Sequence, residues 1–226
     1  MAQWLNTIEG FCDPARQKEF SDWYDNIHLG DILKTPGFLA GRRYEAREFR
    51  DGRGTYLTTY DIETDDIDRT MAVRIARRRE EIEQGRGITV LTIIWKDVLW
   101  KLIAELVPAQ KQAPQVTRWV NLVETNCVDA SREKEFNDWY TNIHLPDVLD
   151  TPGFTAARRY EAKEFRDGRG KYLAVYEIET DDIDRTMAVR LEKRKREVEQ
   201  GHSCSLMVPV WRDVLWKLVS ERSAHK

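Results

Sequence analysis

Apolar residues between positions 14 and 29 fall at Phe20, Trp23, Tyr24 and Ile27. This i, i+3, i+4, i+7 spacing predicts a helix with one apolar face. Asp13 can cap it and Pro14 suits its first position, where the missing N–H is harmless. The helix is expected to end near Leu29, with Gly30 free to turn left-handed and Pro146, its later counterpart, disfavouring helix at Leu145. Residues 3–8 read as a strand ahead of it. After the turn Thr35-Pro36-Gly37, two strands over 38–48 and 55–62 are joined by the hairpin loop Arg50-Asp51-Gly52-Arg53-Gly54. A second helix opens at Asp65 or Asp66 and runs to Gln84. Ile67, Met71, Ile75 and Ile82 are its expected inner face, and the charged run Arg77 to Glu81 its solvated one. The β-branched stretch 88–95 suits a fourth strand. Residues 97–106, with Val98, Leu99, Leu102 and Leu106, read as a short amphipathic helix, and polar 108–117 as a linker.

The same order then recurs. Residues 18–85 align without a gap on 134–201, about 50 of the 68 positions being identical. Trp4 and Cys12 match Trp119 and Cys127 at a spacing one shorter, and Pro209 in the last strand implies an edge or a bulge. Each half is therefore β-α-β-β-α-β, a ferredoxin-like α+β unit with one sheet face under helices. The other face needs a cover, and a second copy of the sheet is the natural one. The expected domains are 1–107 and 118–226, joined by 108–117.

Composition narrows the partners. The chain has 226 residues, 36 basic and 39 acidic, for a net charge of −3, with no charged tail. Nucleic acid is a poor partner for such a surface. No apolar run is long enough to span a membrane, and the start lacks the basic and apolar regions of a secretory signal. Cys12, Cys127 and Cys204 form neither a disulfide framework nor a paired metal signature. A soluble cytoplasmic protein is the expectation, and the exposed edges leave room for copies to pair into a further homodimer.

The densest chemistry is Trp23-Tyr24-Asp25-Asn26-Ile27-His28, followed by Asp31. It returns as Trp139-Tyr140-Thr141-Asn142-Ile143-His144 and Asp147. His28 falls roughly 40° from Tyr24 around the helix, at the border of the apolar face. An imidazole there can move a proton, with Asp31 or Asp147 orienting it. The alternative is structural: a histidine in a last helical turn suits the helix dipole, and the aspartates can cap the next short segment. Arg43 and Arg159, with Tyr60 and Tyr176 on the next strand, could hold a carboxylate, phenolate or enolate. Alternatively Arg42 and Arg43 pair with the many acids nearby, which is the expectation for at least one of them, because a buried unpaired guanidinium is costly. The four histidines show no metal-ligand spacing, and no phosphate loop or nucleophile motif is present.

Trp-Tyr-x-x-x-His-x-x-Asp-Ile/Val-Leu-x-Thr-Pro-Gly-Phe followed by Arg-Arg-Tyr resembles the EthD-like branch of the dimeric α/β-barrel superfamily. The resemblance covers most of each half and implies an intramolecular dimeric α/β barrel, usually built from two chains. That superfamily includes muconolactone isomerases, polyketide cyclases, cofactor-free monooxygenases and haem enzymes, several with a pocket between helices and sheet. By resemblance His28 and His144 sit at such a pocket's edge, lined by Trp23, Tyr24, Trp139 and Tyr140. The leading expectation is an enzyme without metal or other cofactor. It would perform isomerase, cyclase or lyase chemistry on a small apolar, aromatic or polyketide-like compound. His28 or His144 would carry the proton, and Tyr24, Tyr60, Tyr140 and Tyr176 would hold the substrate. A haem protein with one axial histidine, and a non-catalytic carrier of a hydrophobic compound, are the alternatives.

Overall fold

The computed structural model describes residues 1–48, 54–88, 92–108, 117–166 and 169–224. Eight strands close into an antiparallel barrel in the hydrogen-bonding order β1-β3-β2-β8-β5-β7-β6-β4. They are β1 (Ala2–Cys12), β2 (Phe38–Ala46), β3 (Tyr56–Thr64), β4 (Thr92–Leu106), β5 (Thr117–Cys127), β6 (Phe154–Ala162), β7 (Tyr172–Thr180) and β8 (Met207–Ser223). The helices are α1 (Gln17–Trp23), α2 (Leu29–Leu33), α3 (Ile67–Glu83), α4 (Glu133–Trp139), α5 (Leu145–Leu149) and α6 (Ile183–Glu199). The chain divides into two compact units, Met1–Lys101 with Leu218–Lys226, and Leu102–Lys217. Among the described residues no helix is long and apolar enough to cross a membrane. The connection at 49–53 and nearly all of the predicted linker lie outside the described residues, as does His225.

In the first unit Asp13 caps a single 3-10 turn, Pro14–Arg16, its carboxylate accepting from the Ala15 N–H at 2.9 Å, while α1 itself opens at Gln17 without a side-chain cap. Asp66 caps α3 through the Arg69 N–H at 2.9 Å. Beneath the helices lies a core of Phe20, Tyr24, Leu29, Ile32, Phe38, Tyr56, Tyr60, Ile62 and Ile67. The sheet's opposite face is also dry: Leu57 and Trp100 are each 1 % exposed. There the Trp100 indole N–H donates to Thr7 Oγ1 at 2.9 Å.

Three sequence expectations fail here, each for a physical reason. Residues 97–106 are not a helix but the second half of β4. Val98 and Trp100 are buried while Lys101, Ile103 and Glu105 are exposed, an alternation of period two that the spacing of four leucines and valines concealed. In α3 the buried stripe is Ile67, Thr70, Arg74 and Glu81, whereas Ile75 and Ile82 are half exposed. Arg74 and Glu81 go inside because they neutralise each other, with nitrogen-to-oxygen distances of 2.6 and 2.8 Å. In β2 strict alternation from sequence puts Phe38 on one side with Ala40, Arg42 and Tyr44, but the register slips between Phe38 and Ala40 and breaks it. Phe38 then shares the helix-facing side with Gly41 and Arg43. Around Pro209 a bulge is present as the proline implies, since Thr125 pairs with Pro209 but Glu124 with Trp211. A slip at the corresponding place, Glu9/Gly10, forms without proline, whereas β5 and β8 carry a further shift between Leu122 and Glu124.

Gly54 follows the first hairpin and packs against β1. A Cβ there would lie 2.4 Å from the Gly10 carbonyl oxygen and 2.7 Å from its nitrogen, both backbone atoms that cannot swing away. Its N–H also donates to Glu9 Oε1 at 2.8 Å. Gly54→Ala is expected to cost about 2 kcal/mol, read by urea denaturation. A variant as stable as the parent would show that this approach is looser than described.

Candidate functional site

The site begins with an irregularity in a helix. Between α1 and α2, Tyr24–His28 form a π turn in which the Leu29 N–H reaches back to the Tyr24 carbonyl. The helix therefore does not stop at Leu29 as the sequence predicts. Gly30 sits inside α2, and the left-handed glycine is Gly37, at φ 93°. Pro146 occupies an early position of α5, directly after the equivalent turn Tyr140–His144, where its missing N–H is tolerated. Such inserted turns are frequent at functional sites. Here the turn gathers three rings: His28 stacks on Trp23 at 4.4 Å between centroids and meets the Tyr24 ring edge-on at 4.8 Å.

Those rings wall a cavity of about 520 Å³ within the first unit. Asn6, Ile8, Thr58, Tyr60 and Asp97 form its sheet-side floor, and Met71, Arg74, Ile75, Arg78 and Arg79 of α3 line the other side. This volume is in the range of small-molecule sites. The Tyr24 and Tyr60 hydroxyls are 3.0 Å apart, and burial raises the pKa of both, so they remain protonated donors at neutral pH. Asn6 Nδ2 donates to Asp97 Oδ1 at 2.7 Å and fixes that carboxylate at the floor. Among the described residues no group of three His, Cys, Asp or Glu side chains assembles a metal site.

The His28 imidazole does not titrate near neutral pH, as a proton carrier read from sequence would. Burial, followed by the Arg78 and Arg74 charges, pushes its pKa down to about 3. His144 is likewise lowered to about 3, by burial and then Arg194 and Arg190. Both are neutral imidazoles in the fold. As pH falls below about 6.5 the unfolded chain takes up these protons first, so stability drops until the folded imidazoles also protonate near pH 3. Each contributes a slope of about 1.4 kcal/mol per pH unit across that window. Denaturation between pH 6.5 and 5 should show this fall, and the His28→Gln/His144→Gln double variant should show a shallower one. An unchanged slope would contradict the buried neutral state.

Asp31 does not touch His28. Its carboxylate accepts from Arg86 Nε at 2.8 Å and Lys34 Nζ at 2.9 Å. Although burial opposes it, these cations hold its pKa below the usual value. His28 Nδ1 is buried with no hydrogen-bond partner among the described residues, which leaves Nε2 as the nitrogen a ligand can reach. Asp31 acts at one remove: the Arg86 carbonyl accepts from the Trp23 indole N–H at 2.9 Å, and Trp23 stacks on His28.

The second unit repeats the cluster with a different brace. Tyr140 and Tyr176 hydroxyls are 3.2 Å apart, and His144 stacks on Trp139 at 5.2 Å. Asp147 pairs with His202 Nδ1 at 2.9 Å, because His202 replaces Arg86. The Trp139 indole N–H and His144 Nδ1 are buried without partners among the described residues. Cys204 is half-buried beside the core there.

Arg43 and Arg159 are placed beneath the helices and not on the cavity of the first unit. Arg43 lies 5.7–5.9 Å from the Phe20, Tyr24 and Tyr56 rings, bonds Ser21, and is 3.3 Å from Asp25. Arg159 is fully buried, 4.1 Å from the Tyr140 ring, with Asn137 Oδ1 at 2.8 Å. Arg42 and Arg158 pair with acids, Asp61 and Glu221 for the first, Glu105 and Glu177 for the second. The polar residues that sequence reasoning missed are Asn6, Thr58, Asp97, Arg74 and Arg78. A signal existed: Met71, Arg74, Ile75 and Arg78 are spaced i, i+3, i+4, i+7, so the arginines share the methionine's face.

Residues 122–207 match a family model described as a domain of unknown function, DUF4286. No curated protein matches the chain. Among solved structures, an anthrone oxidase-like protein is similar at TM-score 0.64 and 14% identity, over 100% of this chain and 94% of that one. A provisionally assigned monooxygenase of Fusobacterium nucleatum gives 0.59 and 11%, over 98% and 94%. A variant of chlorite dismutase from Candidatus Nitrospira defluvii gives 0.58 and 8%, over 96% and 91%. The fold is a dimeric α/β barrel. At these identities the likeness extends to the fold and not to an activity.

Proposed function

We propose that the chain is an enzyme that moves a proton on a small, largely apolar or aromatic compound bound in the cavity beside His28. The observation that carries this reading is the meeting, in one largely apolar cavity, of a neutral imidazole whose Nδ1 is buried and a pair of protonated tyrosine hydroxyls. In this mechanism Nε2 takes a proton from the substrate, and the Tyr24–Tyr60 pair donates to the oxygen on which negative charge develops. A base with a pKa of about 3 in the empty cavity is weak. The developing anion next to it strengthens it as the reaction proceeds. Isomerase, cyclase and lyase reactions all share this step. Asp31 and Asp147 would be positioning residues, not proton acceptors. The chain is read as a tandem duplication of ferredoxin-like halves, 1–107 and 118–226 with 108–117 between them, in an EthD-like relative. The internal repeat and the shared order of elements support that reading.

Haem fits the cavity poorly. His28 offers a neutral nitrogen, but a ligating imidazole ordinarily gives its other N–H to a carboxylate or carbonyl, and Nδ1 here has neither among the described residues.

Soaking crystals with a library of planar aromatic fragments tests the site directly. Density in contact with His28 Nε2 or the tyrosine hydroxyls is expected. Hits confined to other surfaces would contradict the assignment.

A further inference from the structure

We infer that the cavity in the first unit selects aromatic monoanions, with the ligand's carboxylate held by α3 through Arg78 and its ring over Trp23 and Phe20. This rests on reading the cavity as the binding site and adds the class of compound it takes.

The charge inventory of the walls carries the inference. Arg74 is committed, because both its terminal nitrogens bond Glu81. Arg78 is not: its nearest carboxylate among the described residues is that same Glu81, at 3.8 Å, beyond hydrogen-bond reach. Its guanidinium instead lies 5.5 Å over the Trp23 ring, which orders it at the cavity wall. Arg79 also lines the cavity, is exposed, and makes no ion pair among the described residues. Thus on the α3 side stand one cation whose nearest acid is too far to hydrogen-bond and a second with no ion pair among the described residues.

Among the described residues the only carboxylate lining the cavity is Asp97, on the opposite, sheet-side floor, oriented by Asn6. That arrangement is directional. An acid group on the ligand is attracted to α3 and repelled from the floor, so one anionic end is accommodated and a second is not. Between the two poles the lining is apolar, including Ile8, Phe20, Ile32, Phe38 and Met71. A cavity of about 520 Å³ holds a compound of two or three fused rings without filling. A carboxylate next to Arg78 also offsets one of the cations that keep His28 neutral. Ligand binding and imidazole basicity would then rise together.

Two probes of the same shape separate charge from packing: 2-naphthoate and 2-naphthamide, measured by calorimetry on the full chain. The naphthoate is expected to bind at least about tenfold more tightly in the parent protein. In Arg78→Gln the ratio of the two affinities should fall toward one, and Arg78→Lys should restore part of it. Loss of the Trp23 contact alone would weaken both probes and leave the ratio unmoved, which would overturn the inference. Ile75→Trp places a bulky ring at the cavity wall from a position already 51% exposed, so the fold tolerates it. It should abolish binding of both probes. Equal affinities in the parent, both blocked by Ile75→Trp, would refute anion selection while leaving the cavity as the binding site. Binding indifferent to Ile75→Trp, or none at all, would refute the cavity itself.

Discussion

His28→Gln lowers kcat by at least about 100-fold on the compound the enzyme turns over, while the melting temperature moves by less than about 3 °C. Glutamine keeps a polar group of similar reach but cannot take a proton at neutral pH. The small thermal effect follows from the position: His28 already has an unpartnered buried nitrogen and contributes ring contacts with Trp23 and Tyr24, not a bonded network. His144→Gln tests the second unit separately. Among the described residues its Trp139 lacks the indole hydrogen bond that anchors Trp23, so His144 is held less firmly. Normal turnover in both single variants and in the double variant would end the acid–base reading.

Glu81→Leu lowers the melting temperature by roughly 10 °C, a loss of about 3 kcal/mol. The substitution strips a buried guanidinium of its bidentate partner and leaves Arg74 charged, 7% exposed and uncompensated. Adding Arg74→Met recovers most of the loss, because replacing both members of a buried pair by apolar groups removes the desolvation cost as well as the attraction. Thermal unfolding followed by circular dichroism measures both. Glu197→Leu should behave alike, since Arg190 and Glu197 repeat the pair in α6. A double variant no more stable than Glu81→Leu would mean that Arg74 serves the fold through contacts other than this acid.

The sequence disclosed the features governed by local chemistry and by repetition. Asp13-Pro14 announced a capped turn ahead of the helix, Phe20 and Tyr24 announced its buried face though Ile27 stays outside the core, and the duplication announced two copies of one order of elements. Features decided by tertiary context stayed hidden. One inserted residue at Leu39 puts Phe38 on the same side of β2 as Gly41 and Arg43, not Ala40 and Tyr44, and no local composition reports such a slip. The π turn at Tyr24–His28 leaves the residue pattern helical while carrying the helix past Gly30. In α3 the isoleucines outscore the arginines in hydropathy, yet the ion pair between positions seven apart goes inside. For the same reason the run Arg77 to Glu81 reads as solvated from sequence, although Arg78 lines the cavity and Glu81 is buried. Asp97 was lost with the mistaken helix at 97–106. On a strand its side chain reaches the floor of the cavity beside Asn6.

The most direct test of the proton-transfer claim is deuterium exchange, read by mass spectrometry. A metabolite extract in D2O is incubated with the parent protein or with the His28→Gln/His144→Gln variant. The account predicts an aromatic compound that gains deuterium, or is consumed, with the parent alone. Identical spectra from the two incubations would contradict it.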